Sequence, residues 1–307
     1  MKYYFLAVLL IAVAASFTLV VPILTSSAKN ILVSAEAKLP QNNTEVIGVQ
    51  KYNRVPFPSN IPTPGFSARA VLIKDLASGS ILFQKNAQTP LPIASTTKIM
   101  TALIASDYFK PNSVLIVRNG ASVSGSKVGL NFGESLSFRS LLYGLLLNSG
   151  NDSAYTIAEN YPGGINSFVE SMNKKAEQLN LLNTHFDNPA GFDSPNHFSS
   201  ASDLAQISEE ALNYGDLARI FATKNTEILS IDKKYKHQLN NLNKLLSSLT
   251  GTLGVKTGYT EGAKENLVGL FERSGHRILT VVLGSDDRFG ETSSLVDWVY
   301  QNFTWID

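Results

Sequence analysis

The 307-residue chain contains no cysteine, only three methionines and two tryptophans, and four histidines. Without cysteine there are no disulfides, no thiolate nucleophile and no thiolate metal site. His185, His197, His237 and His276 show no His-x-x-x-His spacing, and the chain has no Gly-x-Ser-x-Gly elbow. A zinc peptidase and a Ser-His-Asp hydrolase are therefore disfavoured, the histidines read as structural or surface residues, and no metal or cofactor is expected. An excess of one charge is also lacking. Lysine plus arginine number 26 against 25 acids, a net charge of +1, which gives no electrostatic basis for binding nucleic acid.

Long apolar runs are confined to the N-terminus, where "YYFLAVLLIAVAASFTLVVPIL" carries no charge from Tyr3 to Leu24 and is long enough to cross a bilayer as a helix. Residues 1–28 are expected to be a membrane anchor or, with "SSAK" or "AEAK" as cleavage sites, a signal peptide. On either reading the rest of the chain is extracytoplasmic. Residues 29–66 turn to Asn, Gln, Ser and Pro and end in "NRVPFPSNIPTPGF", where the prolines exclude a helix, so a linker is expected.

A folded domain is expected over 67–307. It opens with a hairpin signal, Ala70 to Ile73 and Ser80 to Gln84 around Asp, Ser and Gly. Helical periods follow at 95–109, 137–148, 152–160, 164–180 and 201–213. "GVKTGYT", "ENLVGLFERSG" and "HRILTVVLGS" then read as strands, and "SLVDWVYQNF" as a final helix. Strands at both ends with helices between predict one sheet assembled from distant segments.

Three short motifs carry chemistry in combination. Ser95 and Lys98 stand three apart at the start of an apolar helix after Pro92, which puts both side chains on one face. The spacing alone is cheap, since it recurs at Ser26, Ser124, Ser171 and Ser230. Ser149-Gly150-Asn151 sets a hydroxyl and an amide at a tight turn after a helix, and Lys256-Thr257-Gly258 lies in a strand, where the glycine permits close approach. Their order and context, at a helix start, a helix-to-helix turn and a strand, match those of penicillin-binding proteins and class A β-lactamases.

Residues 67–307 thus resemble the catalytic domain of the low-molecular-mass penicillin-binding proteins, the D-alanyl-D-alanine carboxypeptidases of serine peptidase family S11. The likeness extends to "GSKVGLNFGESLSFRSLLYGLLLNSGNDSA", "THFDNPAGFDSPNHFSSASDLA" and "GVKTGYTEGAKENLVGLF". It implies an α/β fold of the β-lactamase/transpeptidase type, a mainly antiparallel sheet flanked by helices with an inserted helical subdomain. It departs from the family at Lys264, where glycine is frequent, at Glu265, and at Phe192, where leucine is usual. No second β-rich domain or C-terminal amphipathic anchor follows "LVDWVYQNF", so attachment is expected from the N-terminus.

By this resemblance Ser95 is the nucleophile, Lys98 its base, Ser149 a proton relay and Asn151 the group that fixes Lys98 and the substrate backbone. Lys256, Thr257, Gly258, Tyr259 and Arg288 would bind substrate, with the N–H groups of Ser95 and Tyr259 as the oxyanion hole and Arg288 on the terminal carboxylate. The implied partners are a peptidoglycan stem peptide ending in D-Ala-D-Ala, β-lactams as covalent inhibitors, and the membrane through the N-terminal segment. Alternatives are a DD-endopeptidase acting on cross-links with the same residues, or an inactive stem-peptide-binding relative. "FDNPAGF" lacks the deacylating glutamate of class A β-lactamases, so slow release of a β-lactam acyl-enzyme is expected.

Overall fold

In the computed structural model the described residues are 55–306. The expected anchor or signal segment, 1–28, lies outside them. Among the described residues no helix is long and apolar enough to cross a membrane.

Eleven strands are present among the described residues. They are β1 (Phe57–Pro58), β2 (Ala70–Asp75), β3 (Ile81–Lys85), β4 (Val114–Ile116), β5 (Ser135–Ser137), β6 (Asn225–Leu229), β7 (Lys236–Asn240), β8 (Thr252–Thr260), β9 (Lys264–Arg273), β10 (His276–Ser285) and β11 (Phe303–Thr304). The helices are α1 (Lys98–Tyr108), α2 (Phe138–Leu146), α3 (Asn151–Asn160), α4 (Gly164–Gln178), α5 (Ala201–Leu212), α6 (Gly215–Phe221), α7 (Leu245–Ser248) and α8 (Arg288–Asn302). Side chains cap several of them: the hydroxyls of Ser137 and Ser200 accept the N–H groups of Ser140 and Asp203 at the starts of α2 and α5.

The expected hairpin and C-terminal strands join in one five-stranded antiparallel sheet ordered β3-β2-β10-β9-β8. β2 pairs with β10, Ile73 opposite Thr280, so the sheet is closed by segments about two hundred residues apart in sequence. β10 is buried on both faces, and its alternation divides the interior. Leu279, Val281 and Leu283 join the core formed with α1 and α5, while Ile278 and Val282 pack with Leu295, Val296 and Val299 of α8. Helix α1 is buried from Lys98 to Ala105, as suits a helix enclosed on every side.

Two small hairpins, β4-β5 and β6-β7, were not anticipated from the sequence. β6-β7 is mostly polar, and its inward set is small: Ile228, His237 and Leu239. His237 Nε2 lies 2.7 Å from Glu134 Oε1, which ties this hairpin to the loop before β5.

The last part of the expected linker is packed. β1 pairs with β11, the Ile61 N–H donates to Asn302 Oδ1 at 2.7 Å, and the Trp298 indole N–H donates to the Ile61 carbonyl at 2.9 Å. Phe66 sets its ring edge-on to Phe83, with centroids 5.8 Å apart. Proline excluded a helix here but left an extended edge strand available, and α8 supplies partners for its backbone. Replacing Asn302 by Ala is expected to cost about 1–2 kcal/mol in urea unfolding and to speed proteolysis between residues 55 and 66.

Candidate active site

Ser95 sits in a 3₁₀ turn, Ala94–Thr97, that leads into α1. Ala94 holds a left-handed φ of +48°, and neither this turn nor α1 is capped by a side chain. The Ser95 hydroxyl is thus not spent as a helix cap. Lys98, 0% exposed, brings Nζ to 2.9 Å from Ser95 Oγ. The same nitrogen donates to Asn151 Oδ1 at 2.8 Å and to the Ala190 carbonyl at 2.6 Å.

The nature of these partners fixes the direction of the third bond. Asn151 Oδ1 and the Ala190 carbonyl can only accept, so they take both hydrogens of a neutral amine, and its lone pair faces the Ser95 hydroxyl. Burial, with Lys256 as a second cation, holds the Lys98 pKa well below the usual lysine value, while Asp152 partly opposes the shift. An uncharged Lys98 can make all three contacts, and burial shifts its equilibrium toward that form.

The second motif meets the first through Asn151, the first residue of α3. Its Nδ2 donates to the Ser124 carbonyl at 2.7 Å, tying Lys98 to the loop 124–131. Ser149 occupies the preceding turn with φ +56°; it is buried, and its Oγ has no hydrogen-bond partner among the described residues. Asp152, not singled out from the sequence, is buried and takes the N–H groups of Val128, Gly129 and Leu130 at 3.0, 2.8 and 3.1 Å. An acid in the first turn of a helix was the available signal.

The third motif lies on β8, an edge strand of the sheet. A Cβ added at Gly258 would stand 3.0 Å from the Ser95 nitrogen and 3.1 Å from the Ile93 carbonyl, so glycine lets the strand close on the Ser95 turn. Lys256 is buried and donates to the Thr257 carbonyl at 2.8 Å. Burial first, then the charge of Arg288, lowers its pKa to about 7. Thr257 is buried and Tyr259 is exposed. Arg288 opens α8; its guanidinium donates to the Gly258 carbonyl at 3.0 Å and its backbone N–H to Glu265 Oε2 at 2.9 Å. Burial lowers its pKa, and Glu265 opposes this. All nine residues expected at the site therefore lie on the Ser95 turn with α1, the turn into α3, strand β8, or the start of α8.

Sequence reasoning noted "FDNPAGF" as a family-like stretch lacking a glutamate, but assigned none of the residues 187–192 a place at the site. Asn188 Oδ1 accepts the N–H groups of Ala190, Gly191 and Phe192 at 3.2, 2.7 and 3.0 Å and so shapes the turn that offers the Ala190 carbonyl to Lys98. Gly191 has φ +91°, and a Cβ there would lie 1.9 Å from the Ala94 carbonyl. Phe192 lies against Tyr155, ring centroids 6.1 Å apart. Lys264, where the resemblance expects glycine, holds a φ of +58° in the β8-β9 turn.

The model of the peptidase S11 family, D-alanyl-D-alanine carboxypeptidase, matches residues 59–287. The chain belongs to the S11 family. Among curated S11-type relatives, D-alanyl-D-alanine carboxypeptidase DacF of Bacillus subtilis is 33% identical over 246 residues, covering 77% of this chain and 63% of that protein. D-alanyl-D-alanine carboxypeptidase DacB2 of Mycobacterium tuberculosis is 33% identical over 252 residues, covering 78% of this chain and 84% of that one. The crystal structure of the Streptomyces K15 DD-transpeptidase superposes with a TM-score of 0.74 at 29% identity, over 78% of this chain and 100% of that one. The chain thus has the fold of the penicillin-binding DD-peptidases, while spanning 63% of the length of DacF.

In this S11 member Gly191 lets the loop close on the Ser95 turn. Gly191→Ala is expected to lower stability by about 2–4 kcal/mol and to slow acylation by a penicillin, since the Ala94 carbonyl must move. Urea unfolding and a stopped-flow acylation assay would show both losses; an unchanged acylation rate would separate loop from nucleophile.

Proposed function

We propose that this chain is a serine-type D-alanyl-D-alanine carboxypeptidase that removes the terminal D-alanine from peptidoglycan stem pentapeptides and is acylated by β-lactams. One observation carries this reading: the buried Lys98 nitrogen lies 2.9 Å from the Ser95 hydroxyl, with Asn151 Oδ1 and the Ala190 carbonyl placed to take the two hydrogens of its neutral amine and leave the lone pair for Ser95. Ser95 Oγ attacks the carbonyl between the two D-alanines as its proton passes to Lys98. The N–H groups of Ser95 and Tyr259 take the developing oxyanion. The C–N bond then breaks, the departing amine receives a proton from Lys98 by way of Ser149, and D-alanine leaves an ester on Ser95. Water, deprotonated by the same base, hydrolyses that ester and restores the hydroxyl.

An extended peptide can lie along the free edge of β8 by strand addition. Its terminal carboxylate would meet Lys256, the Thr257 hydroxyl and Arg288, whose guanidinium is already held against Gly258. In this proposal residues 67–307 are the catalytic domain with the packed segment 55–66 joined to it, the preceding part of 29–66 is the linker, and 1–28 is an anchor or signal segment. Action is then on the outer side of the cytoplasmic membrane, with attachment through the N-terminal segment.

Ser95→Ala is expected to abolish both covalent capture of a fluorescent penicillin and D-alanine release from a stem pentapeptide. Retention of either activity would remove Ser95 from its role. Cleavage of a cross-linked dimer in preference to the free pentapeptide would favour the endopeptidase alternative.

The two lysines set opposite limbs of the pH profile. Lys98 acts when unprotonated, and its lowered pKa places the acid limb, read in kcat, below the range of a free lysine. Lys256 is cationic below about pH 7 and neutral above it, so its attraction for the carboxylate fades as pH rises and KM climbs on the alkaline side. Lys256→Gln should raise KM at low pH and flatten that alkaline rise. A KM that is level from pH 6 to 9 in the unmodified chain would refute the assignment.

A further inference from the structure

His197 is the one histidine that reaches the nucleophile turn. It is 2% exposed, and its two ring nitrogens face different segments of the site. Nδ1 lies 3.0 Å from the backbone nitrogen of Asp187 and must accept that N–H. With Nδ1 an acceptor, the hydrogen of a neutral ring sits on Nε2, 2.7 Å from Thr97 Oγ. The Thr97 hydroxyl accepts there and donates its own hydrogen to the Ala94 carbonyl at 2.7 Å. The chain of bonds therefore runs in one direction, from Asp187 N–H and Nε2–H inward to Ala94. It ends on the residue whose φ is +48°, directly before Ser95.

Such a left-handed φ at a residue with a Cβ is unfavourable and persists only where neighbours hold it. The Ala94 carbonyl has a neighbour on each side here. Thr97 donates to it, and Gly191 leaves it room. Charged and titratable groups also bear on His197: Asp187, His185, Asp193 and Lys98. Burial outweighs the two aspartates and, with His185 and Lys98 acting in the same direction, lowers its pKa to about 4, in keeping with a neutral ring.

We propose that His197 is a positioning residue for the nucleophile: through Thr97 it fixes the Ala94 carbonyl and thereby the turn that aims Ser95 at the scissile carbonyl. It touches neither substrate nor the reacting atoms. Its effect belongs to the acylation step rather than to binding, because Lys256, Thr257 and Arg288 lie on other elements. The inference rests on the proposed acylation at Ser95.

Asparagine and glutamine separate the two bonds, since the Asn amide oxygen can stand where Nδ1 stands and the Gln amide nitrogen where Nε2 stands. The full chain, His197→Asn, His197→Gln and Thr97→Val would be compared in rapid-mixing acylation by a fluorescent penicillin, with the thermal midpoint of each measured in parallel. His197→Gln keeps the donor to Thr97 and should acylate within about threefold of the unmodified chain. His197→Asn and Thr97→Val each lose that link and should acylate at least about tenfold more slowly at saturating penicillin, with the half-saturating concentration unchanged. The double variant His197→Asn, Thr97→Val should be no slower than either single one, as two members of one chain of bonds require.

Acylation of His197→Asn at the native rate would overturn the proposal. So would an equal slowing of the Asn and Gln variants, or losses that follow the thermal midpoints alone. If the unmodified chain is not acylated at all, the Ser95 reading falls and this inference with it.

Discussion

The site depends on a single buried nitrogen. Lys98 Nζ lies within bonding distance of Ser95, Asn151 and the Ala190 carbonyl, which belong to three segments brought together only by the tertiary fold. An ammonium would donate to all three and leave the serine proton in place; an amine donates to two and faces the third with a lone pair. Packing that excludes water from Lys98 therefore favours the amine over the ammonium, and the neighbouring Lys256 acts in the same direction.

This arrangement is held at some expense to stability. Lys98 and Lys256 are both buried and Arg288 is partly so, a local gathering of basic groups that no hydrophobic core would select. The surrounding structure offsets it with fixed acceptors. Asn188 gathers three backbone N–H groups of its own loop, and Asp152 on α3 gathers three of the loop 124–131; each loop delivers an oxygen to the site, Ala190 to Lys98 and Ser124 to Asn151. Local backbone strain collects at the same place, in the left-handed φ angles of Ala94 and Ser149.

Much of this was legible in the residues, and the illegible part has physical reasons. The five helical periods and the terminal strands were set by apolar spacing, and they appear as α1 to α5, β2, β3 and β8 to β10. The hairpin β6-β7 was missed because its buried residues are sparse among charged ones. The segment 55–66 was read as linker because proline marks what a backbone cannot do and gives no sign of the edge it can join. At the site, Ser95, Lys98, Asn151 and Lys256 were legible from motif order, since the chemistry needs those side chains. Ala190 was not, because it contributes a carbonyl that any residue possesses. Asp152, Asn188 and His197 act on backbone groups or through another side chain, so their importance lies in what they face.

Helix α8 links two features otherwise unrelated. It begins at Arg288, held against Gly258 of β8, and ends at Asn302, which grips the chain at Ser59 and Ile61. At 1.5 Å per residue its 15 residues span about 22 Å. The segment at Ser59 and Ile61 and the Gly258 carbonyl of β8 are thereby tied to opposite ends of one rigid element, so that a shift at either contact is carried to the other along the helix axis.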